Sequence, residues 1–241
     1  MSNKQKIKLS KIKKVISFGC SLSDYMFGTE KVYGEYVSEK LNAKYLHHGI
    51  GCGSNDRIWR RFFEYAREGT LDETTLVTIQ WTELLRIEMF TALSHLNHGG
   101  KHQDQYSTKT GFPEVCEHLD GWLHKYKIDS YTWTSDVNMR KQMHNHTNNN
   151  LSDEYSMSLW KNYDYSIKNY CKLKNIPLLF IKHKGYNKYI NETDSEYFNF
   201  ININDIYRQN PRIAKDNSED FAHMSTKGHE LVSKKILNKI K

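Results

Sequence analysis

Apolar and polar positions along this chain fall into short blocks whose period switches repeatedly. Val15-Ile16-Ser17-Phe18 is a mostly apolar run that stops at Gly19, the pattern of a buried strand feeding a tight turn. Tyr33 to Leu41 has helical spacing, and Lys44-Tyr45-Leu46 predicts a second strand, stopped by the glycine cluster Gly49-Ile50-Gly51-Cys52-Gly53. Ser54 reads as the N-cap of an amphipathic helix, with Arg57 to Arg67 placing Ile58, Phe62 and Tyr65 on one face. Thr75 to Trp81, TLVTIQW, is β-branched and apolar and predicts a third strand. A helix from about Met157 to Lys174 leads into Pro177 to Ile181 as a fourth strand, and Phe198 to Ile203 alternates as a short fifth. Gly228 to Ile240 ends the pattern as an amphipathic helix carrying Leu231, Val232, Ile236, Leu237 and Ile240.

Strands alternating with helices imply βαβ units, hence a mainly parallel sheet with helices on both faces. In such sheets function gathers at the carboxyl ends of the strands. The 241 residues are within reach of one domain, and no Pro/Gly/Ser-rich linker divides them. Residues 90–150 break the rhythm: they are rich in His, Asn, Tyr and Trp without a clean period, and are expected to form an irregular insertion over the active-site face. Residues 1–13 are expected to be a basic N-terminal tail.

Charge sharpens that last point. The formal net charge is +7, and six lysines fall between Lys4 and Lys14. Such a tail is either a solvated surface segment or a contact for anionic partners. The N-terminus lacks the apolar core of a secretory signal and no run approaches a bilayer span, so synthesis and residence in the cytoplasm are expected. Cys20, Cys52, Cys116 and Cys171 include no CxxC pair, which argues against zinc ribbons and thioredoxin-type chemistry and for reduced thiols.

Two segments carry candidate chemistry. Phe18-Gly19-Cys20-Ser21-Leu22-Ser23-Asp24 places a serine at a strand-to-helix turn, where its hydroxyl projects into the crevice but needs an adjacent base to act as a nucleophile. Asp220-Phe221-Ala222-His223-Met224-Ser225 places an Asp three residues before a His on a loop entering the last helix, where the Asp can orient one ring nitrogen and leave the other for the serine. Together, FGCSLSD near the start and DFAHMSTKGHELVSKKI near the end resemble the first and last blocks of the SGNH (GDSL-like) hydrolase superfamily, in a divergent branch. The resemblance implies a flavodoxin-like three-layer α/β/α sandwich, a mainly parallel five-stranded sheet, and serine-dependent ester hydrolysis. It assigns Ser21 as nucleophile, His223 as base and Asp220 as the acid that orients it, with no cofactor.

The middle blocks depart from that pattern. The family's oxyanion glycine falls within GIGCGSN, at Gly51 or Gly53, with the Ser21 backbone N–H as a second donor. Where the family carries Asn, this chain has Thr78-Ile79-Gln80-Trp81-Thr82-Glu83; Thr82 aligns best, and Gln80 is a second candidate that strand alternation can point elsewhere. Arg86 either orients substrate or pairs with Glu88. Where the family carries Asp, this chain has Cys20. A thiol lacks a carboxylate's acceptors, and a rival nucleophile at Cys20 is discounted because the turn that projects Ser21 should bury its neighbour. His95, His98 and His102 share a helical spacing, but Gly99-Gly100 interrupts it and no Cys or acidic partner completes a metal site. Trp122, Tyr126, Tyr131 and Trp133 form either a carbohydrate-stacking wall or the insertion's own core.

Three functions follow. The first is hydrolysis of a small acyl ester or an O-acylated glycan. The second is a scaffold that has lost catalysis and binds a glycan or protein. The third, ranked last, is nucleic-acid binding through the lysine-rich terminus, for which no base-reading motif is present and no specific nucleic acid is expected. Oligomeric state is not legible.

Overall fold

The computed structural model describes residues 9–20, 23–25, 29–49, 53–82, 84, 86–90, 122–126, 153–182, 199–202 and 224–240. Its elements run β1 (Lys14–Gly19), α1 (Tyr33–Leu41), β2 (Lys44–Gly49), α2 (Asn55–Arg67), β3 (Thr75–Ile79), β4 (Arg86–Phe90), β5 (Trp122–Tyr126), α3 (Asp153–Leu173), β6 (Leu178–Lys182), β7 (Asn199–Asn202) and α4 (Thr226–Lys239). Leu9–Lys11 makes one 3-10 turn, and the following Ile12 is buried in the core.

Five strands form one sheet in the order β2-β1-β3-β6-β7, and every pairing in it is parallel. Counted within this sheet, the order is 2-1-3-4-5, the flavodoxin-like doubly wound arrangement. The register places Gly19 opposite Gly49 and Phe18 opposite Ile79, so β1, β2 and β3 end at one level. Strand order reverses between β1 and β3. The crevice above their carboxyl ends is therefore the topological switch point, where ligands bind in folds of this kind. β4 and β5 pair antiparallel in a separate two-stranded sheet. That pairing was not expected from the sequence, and it brings part of the 90–150 segment back against the residues that follow β3.

Alternation along each buried strand divides the side chains between two cores. Val15, Leu76, Leu179 and Ile181 pack under α1 and α4 with Tyr33, Val37, Val232 and Ile236. Ile16, Phe18, Val77, Ile79, Leu178 and Phe180 pack under α2 and α3 with Ile58, Phe62, Trp160, Ile167 and Cys171. Each large apolar side chain so buried contributes about 1.5–3 kcal/mol. Near-continuous apolar strands are what a sheet covered on both faces requires.

The helix ends follow their sequence signals. Ser54 caps α2, its side chain accepting from the Arg57 N–H at 3.2 Å, and Ser225 caps α4 the same way from Gly228 at 3.2 Å. α1 ends on Asn42 in the left-handed region at φ 50°, a conformation Asn tolerates better than most residues. α1 also lies unusually close to the sheet: a Cβ at Gly34 would sit 2.7 Å from the Tyr45 hydroxyl, so only glycine permits the contact.

Candidate active site

The carboxyl end of β1 turns sharply. A Cβ on Gly19 would collide with the Ser23 side chain, its Cβ lying 2.9 Å away, so a glycine is needed for the chain to fold back there. The Ser23 N–H donates to the Cys20 carbonyl at 2.9 Å, closing the four-residue segment from Cys20 to Ser23. Cys20, Ser23 and Gln80 are all fully buried. Ser23 Oγ donates to Gln80 Oε1 and accepts from the Tyr33 hydroxyl at 3.0 Å, while Gln80 Nε2 donates to Cys20 Sγ at 3.7 Å.

Beside that turn lies a buried polar cluster. Asp24 Oδ1 accepts from the Tyr25 N–H at 2.7 Å and lies 3.1 Å from His47 Nε2. His47 Nδ1 is 3.0 Å from the Tyr45 hydroxyl, and the Tyr25 hydroxyl donates to Glu35 at 2.9 Å. Burial first, then the Glu35 carboxylate, push the Tyr25 hydroxyl far above its ordinary range. Burial likewise raises Tyr45, and lifts Tyr33 to about 12. These phenols are therefore neutral donors across the physiological range.

The start of α4 is tied to the same edge. Thr29 Oγ1 donates to the Met224 carbonyl at 3.0 Å, and the Glu30 N–H donates to Thr226 Oγ1 at 3.0 Å. The Tyr33 N–H donates to His229 Nδ1 at 3.3 Å. With Nδ1 accepting, the neutral ring carries its proton on Nε2. Burial, with a smaller contribution from His47, pushes His229 down to about 3, so it stays neutral.

The ends of β3 and the start of α2 meet on the other side of the crevice. Asn55 pairs with the backbone of Thr82 in both directions: Oδ1 accepts from the Thr82 N–H at 2.9 Å, and Nδ2 donates to its carbonyl at 3.2 Å. Thr82 is buried, and among the described residues no group pairs with its Oγ1. Its neighbour Trp81 faces the opposite core, where its indole N–H donates to Asp164 at 3.1 Å.

Of the site residues named from sequence, Cys20, Gly53, Gln80 and Thr82 are described, all of them buried. Ser21, Gly51, Asp220 and His223 lie outside the described residues, as do His95, His98, His102, Tyr131 and Trp133. Arg86 and Glu88 sit in β4, and Trp122 and Tyr126 in β5, with their side chains outside the description. Sequence reasoning missed Asn55, the Asp24–His47 pair and His229, and left the direction of Gln80 open. The signal for Asn55 was its place directly after a glycine cluster and an N-cap serine. The other groups are polar residues at positions that strand or helix period marks as buried, each of which needs a partner.

No family model and no curated protein matches the chain. Solved structures similar to it include a lipolytic protein of the G-D-S-L family from Veillonella parvula, 9% identical with a TM-score of 0.49, covering 94% of this chain and 97% of that one. A psychrotrophic esterase, EstA, from a Pseudoalteromonas species is 12% identical with a TM-score of 0.47, over 95% and 96%. A catalytic mutant of the acetylxylan esterase Axe2 from Geobacillus stearothermophilus is 13% identical with a TM-score of 0.46, over 95% and 94%. The class defined by strand order and layering is the flavodoxin-like α/β/α sandwich. Among the described residues, no helix is long and apolar enough to cross a membrane.

Proposed function

We propose that the chain is a serine-dependent ester hydrolase working at the crevice above β1 and β3. Ser21 Oγ attacks the acyl carbonyl as His223 takes its proton, and Asp220 holds the imidazole tautomer and stabilises the imidazolium. The backbone N–H groups of Ser21 and of Gly51 or Gly53, with the Thr82 hydroxyl, donate to the oxyanion. His223 returns the proton to the leaving alcohol, and water then releases the acyl group. A small acyl group, such as O-acetyl on a glycan, is the preferred substrate class, because the sequence offers no long apolar groove for a fatty chain.

The observation that carries this reading is the bond from Thr29 Oγ1 to the Met224 carbonyl, 3.0 Å. It ties the residue after His223 to the segment that leads from Ser21 into α1, two regions about 195 positions apart in sequence. The Thr82 hydroxyl, with no partner among the described residues, adds to it. A buried hydroxyl without a partner is costly, and a developing oxyanion is a partner it would satisfy.

The test is hydrolysis of p-nitrophenyl acetate and labelling by a fluorophosphonate probe, with the labelled site mapped by mass spectrometry. Wild type is expected to turn over the ester and to carry the label on Ser21, and Ser21→Ala to lose about 10³-fold or more in kcat. Identical behaviour of the two proteins would end the catalytic reading and leave the glycan- or protein-binding scaffold in its place.

A further inference from the structure

The end of β3 carries a side chain that ester hydrolysis, as laid out above, leaves without a role. Gln80 is fully buried, at a position where the strand's alternation would accept Leu or Met. A buried amide costs desolvation that only its own hydrogen bonds offset. Both ends of the Gln80 carboxamide are used on one target. Oε1 takes the Ser23 hydroxyl and Nε2 reaches Cys20 Sγ at 3.7 Å, so one planar group grips both ends of the segment Cys20-Ser21-Leu22-Ser23. The Gln80 N–H donates to the Phe18 carbonyl at 2.9 Å, which fixes the grip to the β1–β3 ladder. Tyr33 holds Ser23 from the α1 side at 3.0 Å.

We infer that Gln80 is a positioning residue for the nucleophile: by holding Cys20 and Ser23 it sets the direction of the Ser21 hydroxyl between them. This rests on Ser21 being the nucleophile. Among the described residues the Gln80 carboxamide bonds Ser23 and Cys20, and it acts through these two residues that bracket Ser21. Near-attack geometry is intolerant, a misplacement of ~1 Å costing about 10²-fold in rate. A thiol is a weak acceptor, so the Ser23 arm of the grip is the stronger one. The same arrangement explains why Cys20 is no rival nucleophile: its sulfur is buried and faces the Gln80 amide.

Gln80→Met keeps length and volume and removes both arms; Ser23→Ala removes the stronger arm together with the bond from Tyr33. Each is compared with wild type for fluorophosphonate labelling rate and for kcat and KM on p-nitrophenyl acetate, normalised to titrated active sites, with Tm measured alongside. Both variants are expected to lose about 10- to 100-fold in kcat and in labelling rate per site, with KM within about threefold. The pH midpoint of kcat should not move, since neither side chain is itself the base. A residue that only supports the fold would lower Tm and the number of titratable sites while leaving the rate per site at the wild-type value. That result overturns the inference and leaves the nucleophile assignment standing. Absence of label on Ser21 in wild type would instead remove the hydrolase reading, and the inference with it. Should Gln80→Met fail to fold, Ser23→Ala decides by the same criterion.

Discussion

The two faces of the sheet solve the same burial problem with different chemistry. Under α2 and α3 the filling is mostly aromatic: Phe18, Phe62, Trp81, Trp160 and Phe180 sit among Ile16, Ile58 and Ile79, with Phe18 edge-on to Phe62 and Trp81 stacked on Phe180. Under α1 and α4 the filling begins aliphatic, with Val15 and Leu76 at the amino end of the strands. One pleat further on it becomes Ser17 and Thr78, hydrogen-bonded to each other at 2.9 Å, and beyond them Gln80 and Ser23. Polarity thus rises along one face toward the crevice, while the opposite face keeps its aromatic layer there, with His48 stacked on Phe18 and the Trp81 indole bonded to Asp164. One layer supplies cohesion, and the other trades part of that cohesion for groups held in fixed directions.

The largest test of this contrast is Trp81→Ala. It empties the aromatic layer next to Thr82 and is expected to cost about 3–5 kcal/mol, read as a fall in the denaturant midpoint at unchanged m-value. A loss under about 1 kcal/mol would mean that the aromatic layer is not what supports the sheet.

Acid probes the polar face next. His229 is held neutral with its pKa near 3, against 6.5 for an ordinary histidine. Between those values the unfolded chain binds the proton and the folded chain does not. Its contribution is therefore complete above pH 6.5 and is lost as pH falls through that window, at about 1.4 kcal/mol per unit. Denaturation curves taken between about pH 6 and 4 should approach that slope, and His229→Gln should flatten it. An equal slope in the variant would place the acid sensitivity elsewhere.

The smallest effect should be indifferent to the face. Ser54→Ala and Ser225→Ala each remove an N-cap, one from a helix on either layer, and each is expected to cost about 1 kcal/mol in thermal or chemical unfolding. A marked inequality between them would show that one helix depends on its cap while the other depends on packing.

How much of this was legible in the sequence follows the same division. Period and propensity located α1 at Tyr33–Leu41, the Ser54 cap and all five strands of the main sheet, because those elements are set by which side chains are apolar. Strand ends were less legible. β2 runs on through His47-His48 to Gly49, since polar residues can continue a strand when a neighbouring turn supplies partners, as Asp24 does for His47. The β4–β5 pair was illegible for a related reason: Arg86–Phe90 and Trp122–Tyr126 are short and charged, and pair across a long segment. At the site, FGCSLSD and DFAHMS marked where chemistry should sit. The clamps around it, Asn55 on Thr82 and Gln80 on Cys20 and Ser23, were hidden because a side-chain amide gives no sign in sequence of which backbone it will meet.

The seam between α1 and α4 carries a further consequence, for biogenesis. Thr29, Glu30 and Tyr33 bond to residues that a ribosome delivers about 195 positions later. Until then Val15, Val37 and Leu76 lack the cover that Val232 and Ile236 of α4 supply. A nascent chain of this kind presents an oily aliphatic strip for most of its synthesis, the type of surface that chaperones hold and that aggregates when they are scarce. Transcripts truncated before Thr226 should accordingly yield insoluble product, even though the residues that form the first three strands of the main sheet are already present.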